Sequence, residues 1–158
     1  MAEKIQIEIV NRRDFVLGAS AVAALATLTT LGSGEALAKS NWADEMKALI
    51  GDAKPATGKV SLELPEIAEN GNTVPFTVSA DSPMTAADHV KEMHVFATGN
   101  PVAHVVSLFF TPESGKATAT SRMRLGKTQD VVAVAVMSNG KVYMGKRQVK
   151  VTIGGCGG

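Results

Sequence analysis

The residues of this chain with the means to do chemistry are one cysteine and three histidines. Cys156 stands in the run Gly154-Gly155-Cys156-Gly157-Gly158. A thiol attacks as its thiolate, and with an ordinary pKa near 8.5 only a few per cent is ionised at pH 7. A cysteine enzyme therefore holds its sulfur against a base and an oxyanion hole. Glycines lack a Cβ and reach most of backbone space, so two on each side hold nothing in place. The pattern reads as a thiol on a flexible arm, with Gly154, Gly155, Gly157 and Gly158 as the arm. At ~3.3–3.6 Å per residue, the sulfur reaches on the order of 10 Å past the last strand. Its activation is expected inside another protein's active site. As the chain's one cysteine it forms no internal disulfide, which leaves a reactive sulfur or intermolecular pairing.

His89, His94 and His104, together with seven methionines, raise the question of a periplasmic copper site. His94 and His104 fall on segments that can be neighbouring strands. No His-x-x-x-His, Cys-His or Met-x-Met pattern accompanies them. Met46, Met93, Met123 and Met137 occupy core-facing positions, where methionine is usually filler. No metal site and no cofactor are expected. Net charge is +1 and aromatics are 4%, so nothing supports nucleic-acid binding. Two alternatives to a carrier thiol remain. One is an exported structural or adhesion sandwich with an interchain disulfide; the other is a periplasmic metallochaperone.

Placing such a thiol requires an address and a body. Asn11-Arg12-Arg13-Asp14-Phe15-Val16-Leu17 resembles a twin-arginine export motif, carried by Arg12, Arg13 and Phe15. An apolar stretch runs to Leu31 and Ala36-Leu37-Ala38 is a small-x-small cleavage signal. The stretch is short for a span and is broken by Gly18 and several hydroxyl residues. Residues 1–38 are thus expected to be a cleaved signal peptide, giving a periplasmic protein with no stable membrane insertion after processing. Its removal leaves a net charge of about +2, too weak to steer a partner. The twin-arginine route carries folded proteins, so a folded partner crossing together is expected.

Residues 39–58 read as a helix and a linker. Ser40 or Asn41 caps the helix, Trp42, Met46, Leu49 and Ile50 form one apolar face, and Gly51 ends it. That face is expected to lid an edge or end of the following domain. From residue 59 to 153 the period becomes two. Strands are expected at Val60–Leu64, Val74–Ser79 with Pro75 at an edge or bulge, and Val90–Ala97. Further strands are expected at Val102–Phe110 as a central strand, Ala117–Leu125, Asp130–Met137, and Val142–Ile153 interrupted at Gly145. Ile67–Thr73 reads as a turn-rich connection. About seven short strands with regular turns define an all-β fold, an immunoglobulin-like antiparallel β-sandwich with a short N-terminal helix and a flexible C-terminal arm at 154–158.

The ending Val151-Thr152-Ile153-Gly154-Gly155-Cys156-Gly157-Gly158 resembles that of the SoxY family, the sulfur carriers of bacterial thiosulfate-oxidising (Sox) systems. The twin-arginine signal, Glu69-Asn70-Gly71 before Val74-Pro75, and the run from Arg122-Met123-Arg124 to Thr128-Gln129 are similar too. The resemblance covers essentially the whole chain. It implies a carrier without turnover of its own, with Cys156 as the covalent attachment site and the four glycines as a swinging arm. It implies a heterodimer with SoxZ, loading by the cytochrome SoxAX, sulfate release by the hydrolase SoxB and, in some organisms, oxidation of the remaining sulfur by SoxCD.

Overall fold

The computed structural model describes residues 41–155. The export signal with Arg12, Arg13 and Phe15, and the distal residues Cys156, Gly157 and Gly158, lie outside the described residues.

Helix α1 spans Trp42–Ile50. Asn41 caps it, its side-chain oxygen accepting from the Ala43 N–H at 3.2 Å, and Asp44 and Glu45 sit in the first turn, where they favour the helix dipole. Gly51, at φ 67°, closes the last turn by donating to the Lys47 carbonyl at 2.8 Å. Nine strands follow among the described residues: β1 Ala56–Thr57, β2 Val60–Glu63, β3 Ile67–Asn70, β4 Val74–Ala80, β5 Val90–Ala97, β6 His104–Phe109, β7 Ala117–Met123, β8 Gln129–Met137 and β9 Val142–Ile153.

The larger sheet runs β1-β9-β8-β5-β6, with β3 also on β9; the smaller runs β2-β4-β7. Their facing sides bury Leu62, Phe76, Val78, Met93, Val95, Met123, Leu125, Val131, Ala133 and Met137 among others. Alternate residues on the other face of the larger sheet are Phe96, Val132, Val134 and Val142. Trp42, Met46 and Ile50 of α1 pack there. This explains the unbroken apolar run of β8: Val131 and Ala133 face the smaller sheet while Val132 and Val134 face the helix. The helix covers a sheet face, not an edge or end. Leu49 falls off its apolar stripe and stays exposed.

Three further differences have physical causes. β1 and β3 lie where a linker and a turn-rich connection were expected. Both pair in parallel with β9 through backbone bonds, and their only buried side chain is Ala68, so no apolar alternation marks them. β6 stands at the sheet edge rather than centrally; its apolar content reflects half-burial against the core. β9 passes Gly145 without interruption. A Cβ there would stand 2.7 Å from the Val60 carbonyl oxygen, so this glycine makes room for β2. Pro75 meets its expectation: pairing of β2 with β4 stops at Thr77, leaving Pro75 with one neighbour strand, at Arg122.

Two histidines lie in the layer under α1. Ser107 Oγ is 2.9 Å from His94 Nδ1 and 3.0 Å from His104 Nε2, so the hydroxyl can donate to one ring and accept from the other. The His104 N–H donates to Glu45 of the helix at 2.8 Å. No group of three metal-capable side chains occurs among the described residues.

His94 is 2% exposed and its Nε2 lacks a hydrogen-bond partner. Burial pushes its pKa below the usual 6.5, against the opposing pull of Glu92, whose carboxylate lies 3.6 Å away. The unfolded chain therefore binds this proton at a higher pH than the folded chain does. Stability contributed by neutral His94 is complete above about pH 6.5 and is lost as pH falls through the depressed folded value. Urea midpoints measured between about pH 7.5 and 5.5 are expected to fall with acidification, and less steeply in His94→Gln. Parallel curves would reject His94 as the source.

Candidate functional site

The segment before Cys156 is seated, and three stretches of chain build the seat. β9 is flanked near its end by β3, with Ala68 opposite Val151 and Asn70 opposite Ile153. Just past β3, the Gly71 N–H donates to the Ile153 carbonyl at 2.7 Å. The Gly71 carbonyl accepts from the Leu125 N–H at 2.8 Å, and the Leu125 carbonyl accepts from the Gly155 N–H at 3.0 Å. Backbone bonds thus link 153, 71, 125 and 155 in sequence. Gly71, Leu125 and Gly155 are buried.

The seat is too tight for side chains. A Cβ on Gly71 would collide with the Leu125 carbonyl oxygen, and one on Gly154 with the Gly126 carbonyl oxygen. A Cβ on Gly155 would stand 2.7 Å from the Gly71 carbonyl oxygen. These glycines serve close approach of backbones. Thr128 Oγ1 accepts from the Val151 N–H at 3.0 Å, and Thr152 Oγ1 donates to the Glu69 carbonyl at 3.0 Å.

Two buried amides hold the 124–129 stretch. Asn100 is 3% exposed. Its Oδ1 accepts from the Gly126 N–H at 3.0 Å and from Gln129 Nε2 at 2.7 Å, while its Nδ2 donates to the Arg124 carbonyl at 2.8 Å. Gln129 Oε1 accepts from the Gly99 N–H at 2.6 Å, and its Nε2 also donates to the Lys127 carbonyl at 3.1 Å. Every polar atom of both amide groups is paired, which is how a buried polar network becomes stabilising.

The sequence predicts a flexible arm over 154–158. Of it, Gly154 and Gly155 are described, and they lie against the carbonyls of Gly126 and Gly71. The three histidines stand elsewhere: His94 and His104 bond Ser107, and His89 bonds Thr85 and Ser138. Glu69-Asn70-Gly71 and the stretch from Arg122 to Gln129, matched in the sequence by resemblance alone, converge here. Asn100 is not singled out by the sequence, and Gln129 enters there only as the end of the resembling run. The remaining signal is a polar residue in the Gly99-Asn100-Pro101 turn and another at the head of the most apolar strand.

Sandwich, covering helix and seated C-terminal segment together define an immunoglobulin-like β-sandwich protein. Solved structures place it further. The sulfur carrier protein SoxY from Chlorobium limicola f thiosulfatophilum is 32% identical, with 72% of this chain and 97% of that one covered and a TM-score of 0.62. The family described as sulfur oxidation protein SoxY matches residues 46–156, and the chain belongs to that family. Similarity to known sulfur carriers supports a sulfur-carrier role. A superoxide reductase (neelaredoxin) variant, E23A, from Ignicoccus hospitalis shares the fold at 19% identity, with 72% and 90% covered and a TM-score of 0.54. A putative superoxide reductase from Thermotoga maritima does so at 19%, with 61% and 93% covered and a TM-score of 0.53. No curated protein matches the chain.

Proposed function

We propose that this protein is a periplasmic covalent carrier of sulfur intermediates in thiosulfate oxidation, with Cys156 as the attachment point. The observation that carries the reading is the seat itself. In a member of a sulfur-carrier family, a built structure grips the residues directly before the one cysteine. No group of three metal-capable side chains occurs among the described residues. The reading places twin-arginine export at residues 1–38, pairing with SoxZ, and successive visits to SoxAX, SoxB and, where present, SoxCD.

The Cys156 thiolate and thiosulfate form an S–S bond, giving Cys–S–S–SO₃⁻ and releasing two electrons to the cytochrome partner. Water then cleaves the terminal S–S bond, giving Cys–S–S⁻, sulfate and two protons. On this reading thiolate formation and electron transfer belong to the partners.

Intact-mass measurement tests this. Protein exposed to thiosulfate and the oxidising partner is expected to gain one S₂O₃ group, located on the peptide containing Cys156 and removed by reductant. An unmodified mass under turnover, or an adduct elsewhere, overturns it.

A further inference from the structure

A free arm and a clamped arm give different carriers, and the geometry distinguishes them. A glycine in a free arm has nothing near its Cα. Gly154 lies against the Gly126 carbonyl and Gly155 against the Gly71 carbonyl, each closer than any Cβ would tolerate. Gly155 is buried and its N–H is bonded to Leu125. By contrast, Gly58, Gly115 and Gly140 have open space where a Cβ would stand. The chain before Cys156 therefore touches the body of the domain at both glycines, and Gly155 is buried and backbone-bonded there.

We infer that Gly71, Leu125 and Gly126 form a clamp on Gly154–Gly155 that fixes the pivot of the carrier thiol at Gly155. Asn100 and Gln129 act as positioning residues that hold the clamp closed. From a pivot at Gly155, covalent geometry gives the sulfur a reach of one Cα–Cα step of about 3.8 Å plus its own side chain, on the order of 6 Å in all. Any enzyme that engages the sulfur must bring the mouth of its active site to the rim of the clamp. Gly71, Asn72, Leu125 and Gly126 stand directly against Gly154–Gly155, with Asn100 behind Gly126. The thiol's short reach makes this rim the surface its visitors share, in the part of the inference that rests on the carrier reading.

The clamp is tested on the intact chain without any sulfur chemistry. One nitroxide is placed on Cys156 and a second on a cysteine replacing exposed Lys91 (Lys91→Cys), and the distance distribution between them is measured. A clamped pivot gives a narrow distribution. Gly154→Ala forces a Cβ into the Gly126 carbonyl and is expected to broaden it, whereas Gly157→Ala is not. Hydrogen exchange at the Gly155 amide in the unsubstituted protein is a second readout, independent of whether the variant folds. Protection is expected there, with exchange roughly tenfold faster in Gly154→Ala.

Positioning is read separately from folding. In Gly154→Ala, alkylation of Cys156 by a small reagent is expected to stay unchanged, while partner-dependent loading falls about tenfold because the thiol is misplaced. Exchange of the Gly155 amide at the rate of an unstructured peptide would overturn the clamp, as would equally wide distributions in wild type and Gly154→Ala. Loading as fast as wild type in Gly154→Ala would overturn its positioning role. A clamp confirmed by label and exchange on a protein that never takes a sulfur adduct would sink the carrier reading alone.

Discussion

Cys156→Ala is expected to abolish thiosulfate-dependent sulfate formation in a reconstituted system while leaving the urea midpoint unchanged. The first half follows from stoichiometry. Cys156 is the chain's one sulfur nucleophile, and methionine thioethers cannot form the S–S bond that holds the intermediate. The second half follows from where the core lies: among the described residues the buried apolar side chains run from Leu62 to Val149, and the seat's hydrogen bonds are made by backbone and side-chain groups other than the thiol. Serine is expected to be as inactive as alanine, since an alkoxide is far less available near pH 7 and forms no disulfide-type bond. Sulfate formation persisting in either variant, measured against a sample lacking the carrier, would show that sulfur travels by another route.

Asn100→Ala is the substitution expected to cost most stability around the seat. It leaves the Gly126 N–H and the Arg124 carbonyl without their side-chain partner and removes one acceptor of Gln129. These are buried or partly buried groups, and each loses a bond without regaining water fully. A loss of about 2–4 kcal/mol is expected from the cost of unsatisfied polar groups. That is a large fraction of a typical domain's stability of about 5–15 kcal/mol. Asn139→Ala supplies the comparison. Asn139 is exposed and its side chain bonds only the Lys141 N–H, so a change within about 0.5 kcal/mol is expected. Equal urea midpoints for the two variants would mean that the Asn100–Gln129 network is not what holds the 124–129 stretch. The same variant should also expose the Gly155 amide to exchange, because the Leu125 carbonyl that receives it lies within the stretch Asn100 secures.

The sheets were legible where side chains alternate against a core. Val60–Glu63, Val74–Ala80 and the two-sided run of Val131–Ala135 announce themselves because burial selects their residues. β3 was not legible, since Ala68 is its one buried side chain and its partner is a backbone edge. β6 was legible as a strand but not as an edge, because half-burial and full burial leave similar apolar content. At the candidate site the thiol's chemistry could be read from residue types. The seat could not. Paired glycines suit a flexible tether and a tight backbone crossing equally well. Only the presence of Gly71 and Gly126 opposite Gly155 and Gly154 decides between them, and that juxtaposition spans most of the chain's length. Asn100 and Gln129 read as ordinary turn and strand-end polars until their bonds to one another are seen.

The long final strand has a mechanical consequence. β9 is bonded along one side by β8 from Val142 to Val149 and along the other by β1 and, at its end, by β3. Inter-strand hydrogen bonds lie across the strand direction. Tension applied to the C-terminal segment along the axis of β9 loads them in shear, all together, instead of peeling them one by one as a pulled hairpin edge would. A visiting enzyme that tugs the sulfur inward therefore gains no slack by unravelling the domain. The whole sandwich must follow its sulfur, and a poorly seated visitor is left to let go.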